Sequence, residues 1–377
     1  MTALFIPRKK LQQLVDILIE HGYQCVGPSV KDGAIVFEPF SGVDALAKGY
    51  IDTQDVGHYS LSASDAPTIF DWTVGPQGIK PWVFKARENL WQAQKDSDNN
   101  LQFSEVKEES QPIAFFGARA CDIAALKIQD QHFISDVQSD EKGNAQGDVQ
   151  SADLHYNSRR EKLFIIGVNC SRSAATCFCT STGDGPEITA GIDISMSELV
   201  EGFVLHSTSL RARLFIDELN LDPASNAQLE QAKKNTQNAA TQQRSLPQTL
   251  HHQLTQRTES KAWDTIAETC LACGNCTAVC PTCFCNNQHD ESSLDGKTVS
   301  HFREWDSCFN EGHSYIHGVV IRAHTPQRYR QWLTHKLDTW HDQIGRSGCV
   351  GCGRCISWCP VGIDITETVK AVVEESE

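Results

Sequence analysis

The spacing of the cysteines limits what this chain can fold into more than any other feature. Sixteen of its 377 residues are cysteine, and eleven of these lie between Cys270 and Cys359. The pattern C-x2-C-x2-C-x3-C-P occurs twice, as CLACGNCTAVCP from Cys270 and as CVGCGRCISWCP from Cys349. In a large chain without an export signal, thiols at this density are typical of metal ligands rather than disulfides.

Each cysteine quartet predicts a [4Fe–4S] cluster. In paired motifs of this kind, the first three cysteines bind one cluster and the fourth binds the other. We therefore expect one cluster on Cys270, Cys273, Cys276 and Cys359, and a second on Cys349, Cys352, Cys355 and Cys280. The alternative is two tetrahedral zinc sites. Zinc modules usually join two C-x2-C pairs across a spacer, whereas each quartet here is contiguous and ends in proline.

Apolar patterns predict mixed α/β structure in the first half of the chain. Residues 9–20 place their apolar side chains on one helical face, and Gly22 ends the helix. The runs Ile113–Ala118 and Leu163–Val168 are almost continuously apolar, which is typical of strands buried on both faces. Between them we expect a helix that is capped by Asp122.

Composition divides the chain into three parts. Polar stretches at 96–111 and 135–157 predict exposed loops, and Pro326 predicts the start of a helix with an apolar face from Tyr329 to Trp340. The segment between the two halves is rich in Gln, Asn, Thr and Ala. We expect an α+β or α/β domain over residues 1–221, a polar linker over 222–262 and an α-helical two-cluster ferredoxin domain over 263–377.

Four cysteines of the first half predict a third metal site. Cys121 follows the first apolar strand, Cys170 follows the second, and Cys177 and Cys179 lie a few residues further on. If the two strands are parallel neighbours, the loops that follow them emerge at the same edge of the sheet. The four thiols then converge and can hold a third [4Fe–4S] cluster. The alternative is four ordinary buried or loop thiols.

The remaining cysteines allow less to be said. Cys283, Cys285 and Cys308 are one short of an all-cysteine cluster. A fourth ligand from Asp306 or a histidine is conceivable, but packing against the first cluster is the simpler interpretation. We expect Cys25 to be a core residue.

Charge and missing motifs exclude several classes of function. The net charge of −15 argues against a nucleic-acid or anionic-membrane binder, and no apolar run is long enough for a membrane span. The first residues do not have the order of a signal peptide, so we expect a cytoplasmic protein. The chain has no dinucleotide fingerprint, P-loop or haem-attachment motif. The sequence therefore predicts electron transfer, with no evident substrate pocket and no catalytic residue.

Several motifs, in order along the chain, resemble those of the beta subunit of sulfhydrogenases, which are cytoplasmic NAD(P)-linked [NiFe] hydrogenases. They are FGARACDIAAL at 116–126, the run from Cys170 to Cys179, CPTCFC at 280–285, WDSC at 305–308 and the second quartet. The A-type subunit of anaerobic sulfite reductase is similar to the same pattern and remains an alternative.

The resemblance implies an iron–sulfur subunit that relays electrons within a larger complex. Its implied partners are a flavin and [2Fe–2S] NAD(P)-binding subunit, together with the small and large subunits of a [NiFe] hydrogenase. The resemblance also implies a metal site at Cys121, Cys170, Cys177 and Cys179. Two other hypotheses stay open: sulfur reduction by the chain's own cysteines, at Cys177 and Cys179 or at Cys283 and Cys285, and a zinc-stabilised scaffold.

Overall fold

A computed structural model of the chain describes residues 3–108, 110–134 and 152–375. Within these ranges, no helix is both long enough and apolar enough to cross a membrane. The described residues form a large mixed sheet with its helices, a smaller antiparallel sheet and a cysteine-rich segment that packs against both.

The largest element is an eight-stranded sheet. In spatial order its strands are β12 (Asp222–Pro223), β1 (Leu4–Pro7), β11 (Gly202–Ser207), β10 (Ile194–Glu198), β9 (Leu163–Val168), β8 (Ile113–Ala118), β2 (Gln24–Lys31) and β3 (Ala34–Pro39). The central strands β10, β9, β8 and β2 run parallel, and the strands on either side are antiparallel. Strands β8 and β9 are therefore parallel neighbours, as the prediction of a third site requires.

A smaller sheet joins distant parts of the chain. Its antiparallel strands are, in order, β13 (Asn286–Ser292), β14 (Thr298–Trp305), β6 (Arg87–Lys95) and β7 (Leu101–Glu105). Two further hairpins are formed by β4 (Tyr50–Asp55) with β5 (His58–Ala63), and by β15 (Tyr315–Ile316) with β16 (Val319–Val320). The cysteine-rich segment is thus not helical throughout, because its central hairpin adds to a sheet from the first half.

Helices cover the large sheet and frame the cysteine motifs. They are α1 (Leu11–Glu20), α2 (Lys80–Val83), α3 (Ala120–Phe133), α4 (Leu154–Glu161), α5 (Cys179–Thr182), α6 (Leu210–Glu218), α7 (Asn226–Ala239), α8 (Ala262–Thr269), α9 (Asn275–Ala278), α10 (Thr325–Thr334), α11 (Trp340–Ile344), α12 (Arg354–Ser357) and α13 (Ile365–Glu374). A π-helical turn, His335–Thr339, connects α10 to α11.

The apolar patterns and the structure agree in most of the first half. Strands β8 and β9 have the predicted bounds, and α1 buries Leu11, Leu14, Val15 and Leu18. Two predicted loops differ. Part of 96–111 forms the exposed edge strand β7, and the end of 135–157 forms the start of α4, while residues 135–151 lie outside the described residues.

The segment 222–262 does not behave as a loose linker. Its first part forms helix α7, and Leu246, Leu250 and Leu254 are buried in the same core as Trp332. Polar composition hid this, because three widely spaced leucines are enough to anchor an irregular segment. The proposed division into domains stays a prediction.

Candidate metal centres

The thiols of the first quartet surround one cavity. Cys270 directly follows α8, Cys276 lies in α9, and Cys359 arrives from the loop after α12. Together with Cys273 they line a cavity whose other walls are mainly apolar, including Tyr329 and Trp332. The structure therefore brings the last cysteine of the second motif to the first three cysteines of the first motif.

The second quartet receives Cys280 in the same way. Burial, followed by repulsion from neighbouring thiols that include Cys280, raises the pKa values of Cys349, Cys352 and Cys355. The loop of Cys280 is fixed at this place because Thr282 Oγ1 lies 3.2 Å from Cys280 Sγ and donates to the Gly348 carbonyl at 2.7 Å. The crossed arrangement of the two motifs is thus present in the fold.

The backbone repeats itself at the two quartets. Ala272 N lies 3.4 Å from Cys270 Sγ, and Gly351 N lies 3.4 Å from Cys349 Sγ, at equivalent positions of the two motifs. Gly274 and Gly353, again equivalent, both have a φ of +74° and each precedes a short helix. Backbone N–H groups that point at cysteine sulfur suit a site that carries negative charge.

The separations between sulfur atoms distinguish a cluster from a single ion. Tetrahedral Zn–S bonds of about 2.3 Å place two thiolates about 3.8 Å apart. Among the described residues, which include all sixteen cysteines, no three sulfurs of the quartets lie within 4.8 Å of one another. No disulfide joins any of these sixteen cysteines. The wider spacing fits a polynuclear cluster and not a lone tetrahedral ion.

Buried cations lie beside the second quartet. Lys336 is buried and donates to Thr282 Oγ1 at 2.8 Å; its burial lowers its pKa, but Cys280, Cys283 and Cys349 together raise it above its ordinary value. Arg354, inside the second motif, pairs with Asp122 at 2.8 Å. These charges oppose the cost of gathering thiolates in a buried place.

Cysteines 121, 170, 177 and 179 line a single cavity at the carboxyl ends of β8 and β9. Cys352 of the second quartet lines the same cavity. Gln242 Nε2 donates to Cys179 Sγ at 3.2 Å, while burial raises the pKa of Cys179 to about 12. Such a thiol is an ordinary weak acid in a buried place unless a metal ion favours its thiolate.

This third site is in direct contact with the second quartet. Phe178 N donates to the Gly351 carbonyl at 2.9 Å, and a Cβ on Gly351 would lie 2.5 Å from Cys179 Cα. Asp122 has a different role from the predicted one. It is the third residue of α3, where its carboxylate accepts from Arg119 N at 3.1 Å and also binds Arg354.

Some residues near these sites carried no signal in the sequence. Lys80 is buried, stacks on the Trp305 ring with its Nζ 3.7 Å from the centroid, and donates to the Cys280 carbonyl at 3.3 Å. Neither Lys80 nor Lys336 stands in a motif, so only the tertiary structure reveals them. Arg354 was visible inside the second motif, where Asn275 takes its place in the first.

Comparison with known proteins places the chain among relatives. A family description, "4Fe-4S dicluster domain", matches residues 269–363. Sulfhydrogenase 2 subunit beta of Pyrococcus furiosus is 28% identical over 303 residues, which are 78% of this chain and 82% of the relative. The chain is a homologue of a sulfhydrogenase beta subunit. The predicted relationship is confirmed, as is a mixed α/β chain with a C-terminal dicluster domain. No solved structure matches.

Proposed function

We propose that the chain is an iron–sulfur electron-transfer subunit of a hydrogenase-type complex. The observation that carries this proposal is the crossed pairing of the quartets. Each cage takes its last thiol from the other motif, and the sulfur atoms are too far apart for a single ion. Clusters bound in such cages act as one-electron carriers.

The residues that would hold the clusters fall into three groups. Cys270, Cys273, Cys276 and Cys359 hold the first, and Cys349, Cys352, Cys355 and Cys280 hold the second. A third [4Fe–4S] cluster is held by Cys121, Cys170, Cys177 and Cys179. The contact between Gly351 and the Cys177–Cys179 loop places the third site against the second, as a chain of carriers requires.

The proposed partners follow from the name of the relative. A sulfhydrogenase beta subunit is one subunit of a larger assembly, and we propose that this chain likewise works between two others. One is a flavin and [2Fe–2S] subunit that handles NAD(P)H, and the other is the small and large subunits of a [NiFe] hydrogenase, all in the cytoplasm. No catalytic residue of this chain is needed for that role.

Anaerobic affinity purification of the tagged chain from its native host tests the proposal. We expect a flavoprotein and [NiFe] hydrogenase subunits to co-purify in fixed proportion. Co-purification of a sirohaem subunit instead would assign the chain to an anaerobic sulfite reductase. A chain that purifies without redox partners and lacks absorption in the visible range would contradict the proposal.

A further inference from the structure

Three potential metal ligands lie outside the twelve cysteines described above. Cys285 directly precedes β13, Cys308 follows β14, and His313 lies in the 3-10 turn Glu311–Ser314. The β13–β14 hairpin brings them together, because its ends pair Asn286 with Trp305. Asp306 N then donates to the Cys285 carbonyl at 2.9 Å.

These ligands have a different spacing from the quartets. Cys285 Sγ lies 3.7 Å from Cys308 Sγ, and the ligand atoms of Cys285, Cys308 and His313 all lie within 4.8 Å of one another. Two thiolates on one tetrahedral ion are expected about 3.8 Å apart. The same criterion that excludes a lone ion at the quartets therefore favours one here.

The imidazole is already oriented for metal binding. His313 Nδ1 is hydrogen-bonded to Asp306 Oδ2, and the ring also contacts the Cys285 thiol through a hydrogen bond. Asp306 is itself held, since its other carboxylate oxygen accepts from Ser307 N at 2.7 Å. Histidines that bind metals commonly bond a carboxylate through the second ring nitrogen, which fixes the ring and its tautomer.

We propose that Cys285, Cys308 and His313 bind a mononuclear tetrahedral metal ion, with Asp306 as the residue that positions His313. Two thiolates and one imidazole are the ligands that zinc prefers, so Zn²⁺ is the first candidate. The hydrogen bond from Cys285 lowers the pKa of Cys308 to about 7, so at least one thiolate is readily available.

The fourth coordination position is left for a ligand from outside the chain. Cys283 is hydrogen-bonded to Cys280 rather than grouped with the three ligands. Cys285 and Asp306 also line a cavity of about 190 Å³, whose walls include Lys80 and Cys273 of the first quartet. Three protein ligands beside such a cavity are typical of an open site, where water or a small anion completes the coordination.

Two other groups of potential ligands do not support a site. Glu88, Glu108 and His155 lie together, but Arg159 already pairs with both carboxylates. His251, His252 and Asp342 are all exposed, and nothing fixes them for an ion.

Metal analysis of the anaerobically purified full-length chain tests the proposal. We expect about one zinc ion, or one iron ion beyond those matched by sulfide, per chain, and X-ray absorption at that metal's edge with two sulfur neighbours and one imidazole. Cys308→Ser should remove the ion while the EPR signals of the reduced clusters keep their intensity. Cys25→Ser is the control, because Cys25 is a buried thiol in the main core. His313→Gln should weaken metal retention at least tenfold, and Asp306→Asn should do so less strongly.

The proposal is independent of the cluster count, because cluster iron is matched by sulfide. Iron equal to sulfide with no zinc in the wild-type chain would overturn it. So would a Cys285–Cys308 disulfide in protein isolated without reductant, or full retention of the ion in both Cys285→Ser and Cys308→Ser.

Discussion

At the scale of single residues, the two quartets differ in the charge that surrounds them. Lys336 is buried beside Cys280 and Cys349, and among the described residues it has no carboxylate partner. At the position of Arg354, the first motif carries the neutral Asn275. Nearby positive charge favours the more reduced, more negative state of a cluster. We therefore expect the second quartet to hold the cluster of higher reduction potential.

Replacement of Lys336 by methionine tests this difference. A unit charge about 6 Å away at an effective dielectric constant of about 20 contributes about 3 kcal/mol, on the order of 100 mV for a one-electron couple. Lys336→Met should lower the potential of one cluster by that order and leave the others within about 20 mV. EPR-monitored redox titration measures the shift. Lys370→Met is the control, because Lys370 is exposed and pairs with Glu367; equal shifts in both variants would refute the explanation.

A second prediction at this scale concerns Gly353. A Cβ on this residue would overlap the carbonyl oxygen of Thr176, and its φ is +74°. Gly345 has a similar φ of +75°, but no atom lies within 4 Å of the place that a Cβ would take there. Gly353→Ala should therefore cost at least about 2 kcal/mol more than Gly345→Ala, which costs about 1 kcal/mol through backbone strain alone. Thermal denaturation of the two variants compares them, and equal melting temperatures would contradict the packing.

At the scale of elements, the loops after β8 and β9 form one site only because the two strands are parallel neighbours. Their continuous apolar sequences were enough to predict both strands and the edge where Cys121 and Cys170 meet. The pairing of β14 with β6 was not predictable in this way. Both strands are largely polar and more than two hundred residues apart, so their apolar patterns carry no sign of a shared core.

The third site predicts a defined loss of iron. Cys177→Ser should lower iron and sulfide by about four each per chain, because one [4Fe–4S] cluster would lose a ligand. Cys25→Ser should lower neither, since Cys25 lies in the main core. Colorimetric iron and sulfide assays measure both. An unchanged iron content in Cys177→Ser, with the protein folded, would leave four ordinary thiols as the better interpretation.

The segment 240–262 gives a prediction about packing. Leu254 is fully buried against the aromatic core of the cysteine-rich segment, whereas Leu210 is 77% exposed. Leu254→Ala should lower the free energy of unfolding by about 2–4 kcal/mol, and Leu210→Ala by less than about 0.5 kcal/mol. Urea denaturation of the holoprotein compares them. A change as small for Leu254→Ala as for Leu210→Ala would restore the interpretation of a loose linker.

At the scale of the whole molecule, the fold places three cages of thiols in contact through short loops. The cysteine spacing was sufficient to predict which thiols meet, since the structure gathers all three groups as expected. Spacing could not predict the surroundings. Lys80, Lys336 and His313 reach their places through β6, β14 and the π-helical turn, and no local pattern marks them.

The most direct test of the relay is the content of iron and acid-labile sulfide in the anaerobically purified chain, measured together with the EPR spin count after reduction. We expect about twelve sulfide ions and at least about twelve iron ions per chain, with close to three spins from [4Fe–4S]⁺ clusters that interact magnetically. Protein with zinc as its main metal, no sulfide and no EPR signal after reduction would contradict the account.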